Sequence, residues 1–283
     1  MKILCLFVRH GSEQYPDALP LLDQWYERHG LLGERTLWII DNARPPGQLP
    51  QALGPRILLR SGDNQAWEFS AWSQAIRQAQ TEGVRCDLVH FVTSAYNTLY
   101  TEYLQHFRPD MLAYVTAHNS CLGHIDSYPQ PIRLGPTESQ YWTRTCFFFL
   151  SWATAQRVNP WAAFGQPELF FAGADSRQFR PDAPLSADYR SHITSWLEGQ
   201  EMGGHTWHSP VGDGAHENRR FQLKALAILN EHRLAITLRA AGIRLVDFCW
   251  LHAQRETPVA RLPNPPPELA QLMVRRKILG IPE

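Results

Sequence analysis

Four short apolar runs recur along the first third of the chain, and each empties into small or polar residues. Lys2 to Val8 stops at Arg9-His10-Gly11-Ser12, and Thr36 to Ile40 stops at Asp41-Asn42. Ile57 to Leu59 runs into Ser61-Gly62-Asp63-Asn64, and Leu88 to Val92 into Thr93-Ser94-Ala95-Tyr96-Asn97. Short unbroken apolar runs closed by turn residues read as strands buried on both faces. Between the first pair, Leu19, Leu22, Trp25 and Tyr26 repeat at helical spacing, opened by Pro16-Asp17 and closed by Gly30. After the third run, Phe69, Trp72, Ala75, Ile76 and Ala79 share one helical face, and Gly83 ends it. The order β-α-β-loop-β-α-β predicts a parallel sheet. Parallel strands point their carboxyl ends one way, so the polar exits should converge on one edge, where α/β proteins hold ligands.

Beyond Asn97 the pattern is mixed. It predicts a helix over 99–107, a short strand over 111–115, and a loop over 117–136 with a short strand near 123–128. Trp142, Cys146, Phe149 and Ala153 suggest a helix over 139–157, followed by irregular chain to residue 186. Helices are expected at 189–197 and 216–241, with a glycine- and histidine-rich loop at 199–214 before the second. A strand at 243–251, a proline-rich linker at 258–267 and a basic amphipathic helix at 268–279 complete the reading. The expected organisation is an α/β nucleotide-binding half (1–135), an acceptor-side half of the same domain (136–257), and a linker with a terminal helix (258–283).

Charge narrows the partners. The 27 basic and 27 acidic residues balance, and no long basic run exists, which argues against a nucleic-acid binder. Five scattered cysteines without a C-x-x-C suit free thiols in a reducing compartment. The opening MKILCLFVRHG is too short for a signal-peptide core, so a cytoplasmic protein is expected. Arg275-Arg276-Lys277, following Leu269, Leu272 and Met273, suggests either a solvated tail or peripheral contact with an anionic membrane.

The Asp41-Asn42 pair after the second strand, and Gly62 through Trp72 with its embedded Glu68-Phe69, carry a family resemblance. Together with the strand order they resemble the nucleotide-binding half of GT-A-fold glycosyltransferases. The likeness is strongest to bacterial enzymes that build O-antigen, rhamnan or capsular polysaccharide. Softer echoes follow in Trp142-Thr143-Arg144-Thr145, Trp207-His208 and Ala227-Ile228-Leu229-Asn230-Glu231. The resemblance implies a GT-A-like (Rossmann-like) mixed sheet flanked by helices, with a helical carboxyl-terminal portion. It also implies a nucleotide-sugar donor and a saccharide or lipid-linked acceptor. Many such enzymes hold Mg or Mn on an aspartate-x-aspartate after the fourth strand. Here Val92 to Asn97 contains no carboxylate, which puts dependence on a divalent metal in doubt.

Within that frame Arg9, Asp41, Asn42, Asp63 and Asn64 are candidates for the nucleoside, although Asp and Asn favour such turns in any case. Glu68 either compensates the helix dipole or meets the ribose or sugar. Thr93, Ser94 and Asn97 stand where the donor diphosphate would lie, and His208, with Arg219-Arg220, would close over it. His205-Thr206-Trp207-His208 lacks the i, i+4 spacing of a helical zinc pair. An inverting transfer needs a carboxylate near the acceptor hydroxyl. Asp126 and Glu138 are the leading candidates, ahead of Asp175, Asp213 and Glu217. A nucleotidyltransferase using Asp41 and Asp63 for magnesium, another nucleotide-binding α/β enzyme, or a non-catalytic scaffold of the same fold are the alternatives.

Overall fold

The computed structural model describes residues 1–98, 102–201, 206–207 and 209–281. In chain order the elements begin with β1 (Ile3–Arg9), α1 (Ala18–Arg28), β2 (Arg35–Asp41), β3 (Gln51–Gly54), β4 (Ile57–Ser61), α2 (Trp67–Thr81) and β5 (Leu88–Thr93). They continue with α3 (Met111–Ala117), β6 (Ser120–Gly123), β7 (Ile125–Leu134), β8 (Thr137–Thr143), β9 (Phe147–Ser151) and α4 (Trp152–Arg157). The last are α5 (Ala187–Leu197), α6 (Ala215–Ala240), β10 (Arg244–Asp247), α7 (Phe248–Ala253) and α8 (Glu268–Leu279).

Among the described residues eight strands form one mixed sheet in the order β10-β6-β9-β5-β1-β2-β4-β3. β1 is central and parallel to β2 and β5, and β2 is parallel to β4. β9 enters antiparallel between β5 and β6, and β10 runs parallel to β6. The chain is therefore an α/β protein built on a large mixed sheet flanked by helices.

β1 shows why its sequence is an unbroken apolar run. Ile3, Cys5 and Phe7 pack toward α1, α3 and α7, whereas Leu4, Leu6 and Val8 pack toward α2, α4 and α6. A strand covered on both faces has no polar side to show. Trp72 of α2 is fully buried, and its indole N–H donates to the Leu6 carbonyl at 3.3 Å. A third core lies under the β7–β8 hairpin, where Tyr128, Ile132 and Leu134 meet α5 and α6. The boundary expected at residue 135 falls in the turn of this hairpin.

Several expected elements differ. The helix expected over 139–157 is β8, β9 and the short α4. Phe147-Phe148-Phe149 forms an interior strand buried on both sides, and a continuous apolar run mimics a helical stripe when read by period. The strand expected at 111–115 is α3, and the loop at 117–136 contains β6 and β7. Strand 243–251 is halved: Asp247 accepts the Cys249 amide at 2.9 Å, capping α7 and ending β10. The helix expected over 99–107 lies partly outside the described residues, and its remainder is a 3-10 turn at Glu102–His106. Residues 258–267 pack on the fold: Leu262 is buried, and Tyr114 donates its hydroxyl to the Pro263 carbonyl at 2.7 Å.

Candidate functional site

The carboxyl ends of six parallel strands deliver Arg9, Asp41, Ser61, Thr93, Gly123 and Asp247 to one edge of the sheet. The registers pair Arg9 with Asp41, Asp41 with Ser61, Val8 with Thr93, and Asp247 with Gly123. Because β9 is antiparallel, its amino end brings Arg144, Thr145 and Cys146 to the same edge, where the Thr93 amide donates to the Cys146 carbonyl at 3.0 Å. The convergence read from the sequence is thus present.

Asp41 organises the donor side. Its Oδ1 accepts the Gly11 and Ala43 amides at 2.8 and 3.0 Å, and its Oδ2 accepts Arg9 Nε at 2.8 Å. Burial pushes the Asp41 carboxyl up, but these donors and the Arg9 charge outweigh it and hold the group below its ordinary value. Gly11 has φ of 68°, which lets the chain turn close over the carboxylate. Asn42 donates from Nδ2 to the Trp67 carbonyl at 3.2 Å, while its Oδ1 is buried without a partner among the described residues, as is Ser61 Oγ. Unsatisfied buried polar atoms are uncommon in folded proteins, and both of these sit at the strand-end edge. Asp63 Oδ1 accepts the Gln65 amide at 3.1 Å in a tight turn, and Asn64 is exposed with φ of 50°. Thr93, Ser94 and Asn97 are half-buried at the exit of β5.

Across from this edge lies α6. Lys224 and Glu231 are seven residues apart, two turns and about 10 Å along one helix face. The Lys224 ammonium sits 3.6 Å from the centre of the Trp67 ring and 5.9 Å from that of Trp207. Trp67 opens α2 with φ of 53°, a conformation a bulky residue adopts only when its surroundings impose it. Glu68 follows directly. Burial raises its carboxyl above the ordinary value, against the pull of Lys224. Burial likewise lowers Lys224, against Glu68 and Glu231.

Glu231 accepts the Thr145 amide at 2.8 Å and the Thr145 hydroxyl at 2.9 Å on the same oxygen, Oε1. Its carboxyl is pushed up to about 7 by burial, with the Glu68 charge adding to the rise, while the Thr145 bonds and Arg144 act in the opposite direction. A half-buried carboxyl that exchanges its proton near neutrality has the property a general base needs. Arg144 meets Asp126 through two nitrogens, Nε at 2.7 Å and Nη2 at 2.6 Å.

The expected catalytic pair is split. Asp126 lies on β7 opposite Trp142 at the base of the hairpin, close to the edge but held by Arg144 and by the Ser127 amide at 3.0 Å. Glu138 pairs with Arg133, four residues and roughly 13 Å farther along β8. It lines an open concavity of about 300 Å³ with Ser139, Tyr141, Arg239 and Glu268, away from the strand ends. His205 and His208 lie outside the described residues. Glu217 is engaged at the start of α6 by the Gly212 amide and by Arg220 at 3.1 Å. Sequence reasoning named Glu231 only as the last residue of the family-like stretch Ala227 to Glu231, and it gave neither Glu231 nor Lys224 a role. Their seven-residue spacing on one face was the available signal.

The terminal helix is docked, not a solvated tail. Arg275 reaches Asp247 Oδ2 at 3.0 Å, and Gln271 Oε1 accepts the Asp247 amide at 2.8 Å. Leu269 and Met273 remain exposed beside Arg276 and Lys277. No helix among the described residues is long and apolar enough to cross a membrane. Among the same residues no group of three or more His, Cys, Asp or Glu side chains is placed to hold a metal ion.

No family model and no curated protein matches the chain. Among solved structures, a crystal structure of 4-diphosphocytidyl-2C-methyl-D-erythritol synthase is similar over 56% of this chain and 78% of its own, with 10% sequence identity and a TM-score of 0.35.

Proposed function

We propose that the chain is a nucleotide-dependent transferase, and that it transfers a sugar from a nucleotide-activated donor to a saccharide or lipid-linked acceptor. The observation that carries this reading is Glu231, a half-buried carboxyl held at the strand-end edge by the Thr145 amide and hydroxyl at 2.8 and 2.9 Å, where burial pushes it up to about 7. Glycosyl transfer with inversion breaks the bond from the anomeric carbon to the phosphate oxygen and forms one to the acceptor hydroxyl. Glu231 would take that hydroxyl's proton as the new bond forms. Lys224 and Arg144 supply positive charge toward the departing phosphate. Arg9, Asn42, Asp63, Asn64, Thr93, Ser94 and Asn97 would line the donor side, with Asp41 shaping the turn that presents them and Asp126 aligning Arg144. The exposed Leu269 and Met273 beside Arg276 and Lys277 would let α8 rest on an anionic membrane carrying a lipid-linked acceptor.

Titration calorimetry with UDP-, dTDP- and GDP-sugars tests the donor site, and binding of none of them would sink the reading. In a transfer assay Glu231→Gln should lose activity by roughly 100-fold or more while still binding the nucleotide.

Nucleotidyl transfer is the second reading. The same cations, Lys224 and Arg144, would suit a nucleoside triphosphate attacked by a sugar phosphate, with pyrophosphate leaving. Pyrophosphate release from triphosphate and sugar phosphate, with no transfer from nucleotide sugars, would favour it. A magnesium pair on Asp41 and Asp63 would have to compete with the three donors already on Asp41.

A further inference from the structure

Glu231 lies well inside α6, where no helix end needs a side chain to satisfy it. Both donors of Thr145 nevertheless converge on one of its oxygens, Oε1, the amide at 2.8 Å and the hydroxyl at 2.9 Å. No described residue donates to the other oxygen, Oε2, which keeps some contact with solvent. We propose that Thr145 is the positioning residue of the transfer: it anchors Oε1 and leaves Oε2 as the atom that takes the proton of the acceptor hydroxyl. This deepens the reading of Glu231 as proton acceptor and, in its catalytic consequence, rests on it.

Thr145 is suited to the task because it is itself held. It is buried in the turn between β8 and β9. On one side of it the Arg144 amide donates to the His124 carbonyl at 2.9 Å, and on the other the Cys146 carbonyl accepts the Thr93 amide at 3.0 Å. The Arg144 side chain is bound in turn to Asp126. The donors are therefore fixed by the sheet edge and not by α6, and Oε1 meets them before any substrate arrives. In the ionised carboxylate they stabilise charge on Oε1. In the protonated acid Oε1 is the carbonyl oxygen and still accepts both, while Oε2 carries the hydrogen. The proton is thus gained or lost without either hydrogen bond breaking. As the acceptor oxygen bonds to the anomeric carbon, its proton passes to Oε2, and the electron pair of the sugar–phosphate bond leaves on the phosphate oxygen.

The titratable groups facing Glu231 are few. Glu68 faces it from α2 and Lys224 from its own helix, while Arg144 and Cys146 flank Thr145. Tyr128 of β7 and Tyr189 of α5 complete the set, and burial keeps both tyrosines and Cys146 neutral near pH 7. Thr145 bears no charge, so replacing its hydroxyl removes a donor and leaves that set unaltered.

The test is Thr145→Val, which keeps the amide and the shape of the side chain but lacks the hydroxyl. Carboxyl carbon NMR on the full chain labelled at glutamate follows the Glu231 midpoint, assigned by its absence in Glu231→Gln. The midpoint should rise by about half a unit or more in Thr145→Val, because a donor to the ionised form is lost, and return to the wild-type value in Thr145→Ser. In transfer assays the acidic limb of the rate profile should move up with it, with the donor KM unchanged and much of the rate regained by about pH 9. A midpoint that stays in place in Thr145→Val, or that Thr145→Ser does not restore, overturns the proposal. So does a rate lost equally at every pH. Should Thr145→Val not fold, Thr145→Ala lacks the same hydroxyl and makes the same comparison with Thr145→Ser. If the midpoints move as stated while no nucleotide sugar is turned over, the hold of Thr145 on Glu231 stands and the glycosyl reading fails.

Discussion

Gly62 and Asn42 touch so closely that a methyl group on Gly62 would lie 1.8 Å from Asn42 Oδ1. The glycine is required by the approach of the neighbouring strand's exit and not by a left-handed backbone. Gly62→Ala should destabilise the fold by about 1–3 kcal/mol, the usual cost of forcing extra volume into a packed place. It should also weaken nucleotide binding, because Asn42 must swing away from the Trp67 carbonyl. Urea denaturation and calorimetry on the variant check both halves.

Asp41 makes the stability pH-dependent in a stated direction. Its folded carboxyl is held below the ordinary value, so its contribution is fully present above the unfolded value of about 3.9 and is lost as pH falls through the folded one. Asp41→Asn should cost about 2 kcal/mol at pH 7 through the donors it leaves poorly matched. The difference from wild type should shrink by pH 3. Unfolding curves at the two pH values provide the measurement.

Arg275 neutralises Asp247, whose side chain has no solvent exposure. Arg275→Ala should destabilise by about 3 kcal/mol, since it leaves a buried charge unpaired. Burial already raises the Asp247 carboxyl, with Arg275 holding it down. Without Arg275 the folded value rises further, so the penalty is largest above it and diminishes as pH falls toward the unfolded value. A smaller loss at pH 5 than at pH 8 is expected in urea titrations. Equal losses would mean that packing, and not charge, is what Arg275 contributes.

Glu231 should separate activity from stability. Transfer should fall as pH drops below about 7, where Glu231 takes up its proton. The same raised value makes the ionised carboxyl a burden on the fold at high pH. Glu231→Gln should therefore raise the urea midpoint at pH 8 while abolishing transfer, and the gain should vanish near pH 4. A lowered midpoint at pH 8 would contradict the assignment of this carboxyl.

Much of the amino-terminal half was legible in the sequence. Runs such as Leu4 to Val8 and Leu88 to Val92 are apolar on both faces because they become interior parallel strands, and their polar exits follow from that direction. The half beyond residue 97 was less legible. Phe147-Phe148-Phe149 has no period that distinguishes strand from helix, and the antiparallel entry of β9 is set by pairing with β5 across more than fifty residues. Local composition contains no term for that pairing.

The site divides along the same line. The sequence by itself determined where the strands end and that Asp41-Asn42 and Gly62-Asp63 stand at those ends, because runs and turn residues are read from neighbours in the chain. The Arg9 and Gly11 donors on Asp41 and the press of Asn42 on Gly62 come instead from distant residues. Only the tertiary structure decided that Glu138 stands at the far end of a hairpin and that Asp126 is held by Arg144. It alone brought Lys224 of α6 onto the Trp67 ring at the start of α2, more than 150 positions away, and Glu231 onto Thr145. A carboxyl becomes a proton acceptor near neutrality through its surroundings, and those surroundings exist only once α6 crosses the edge of the sheet.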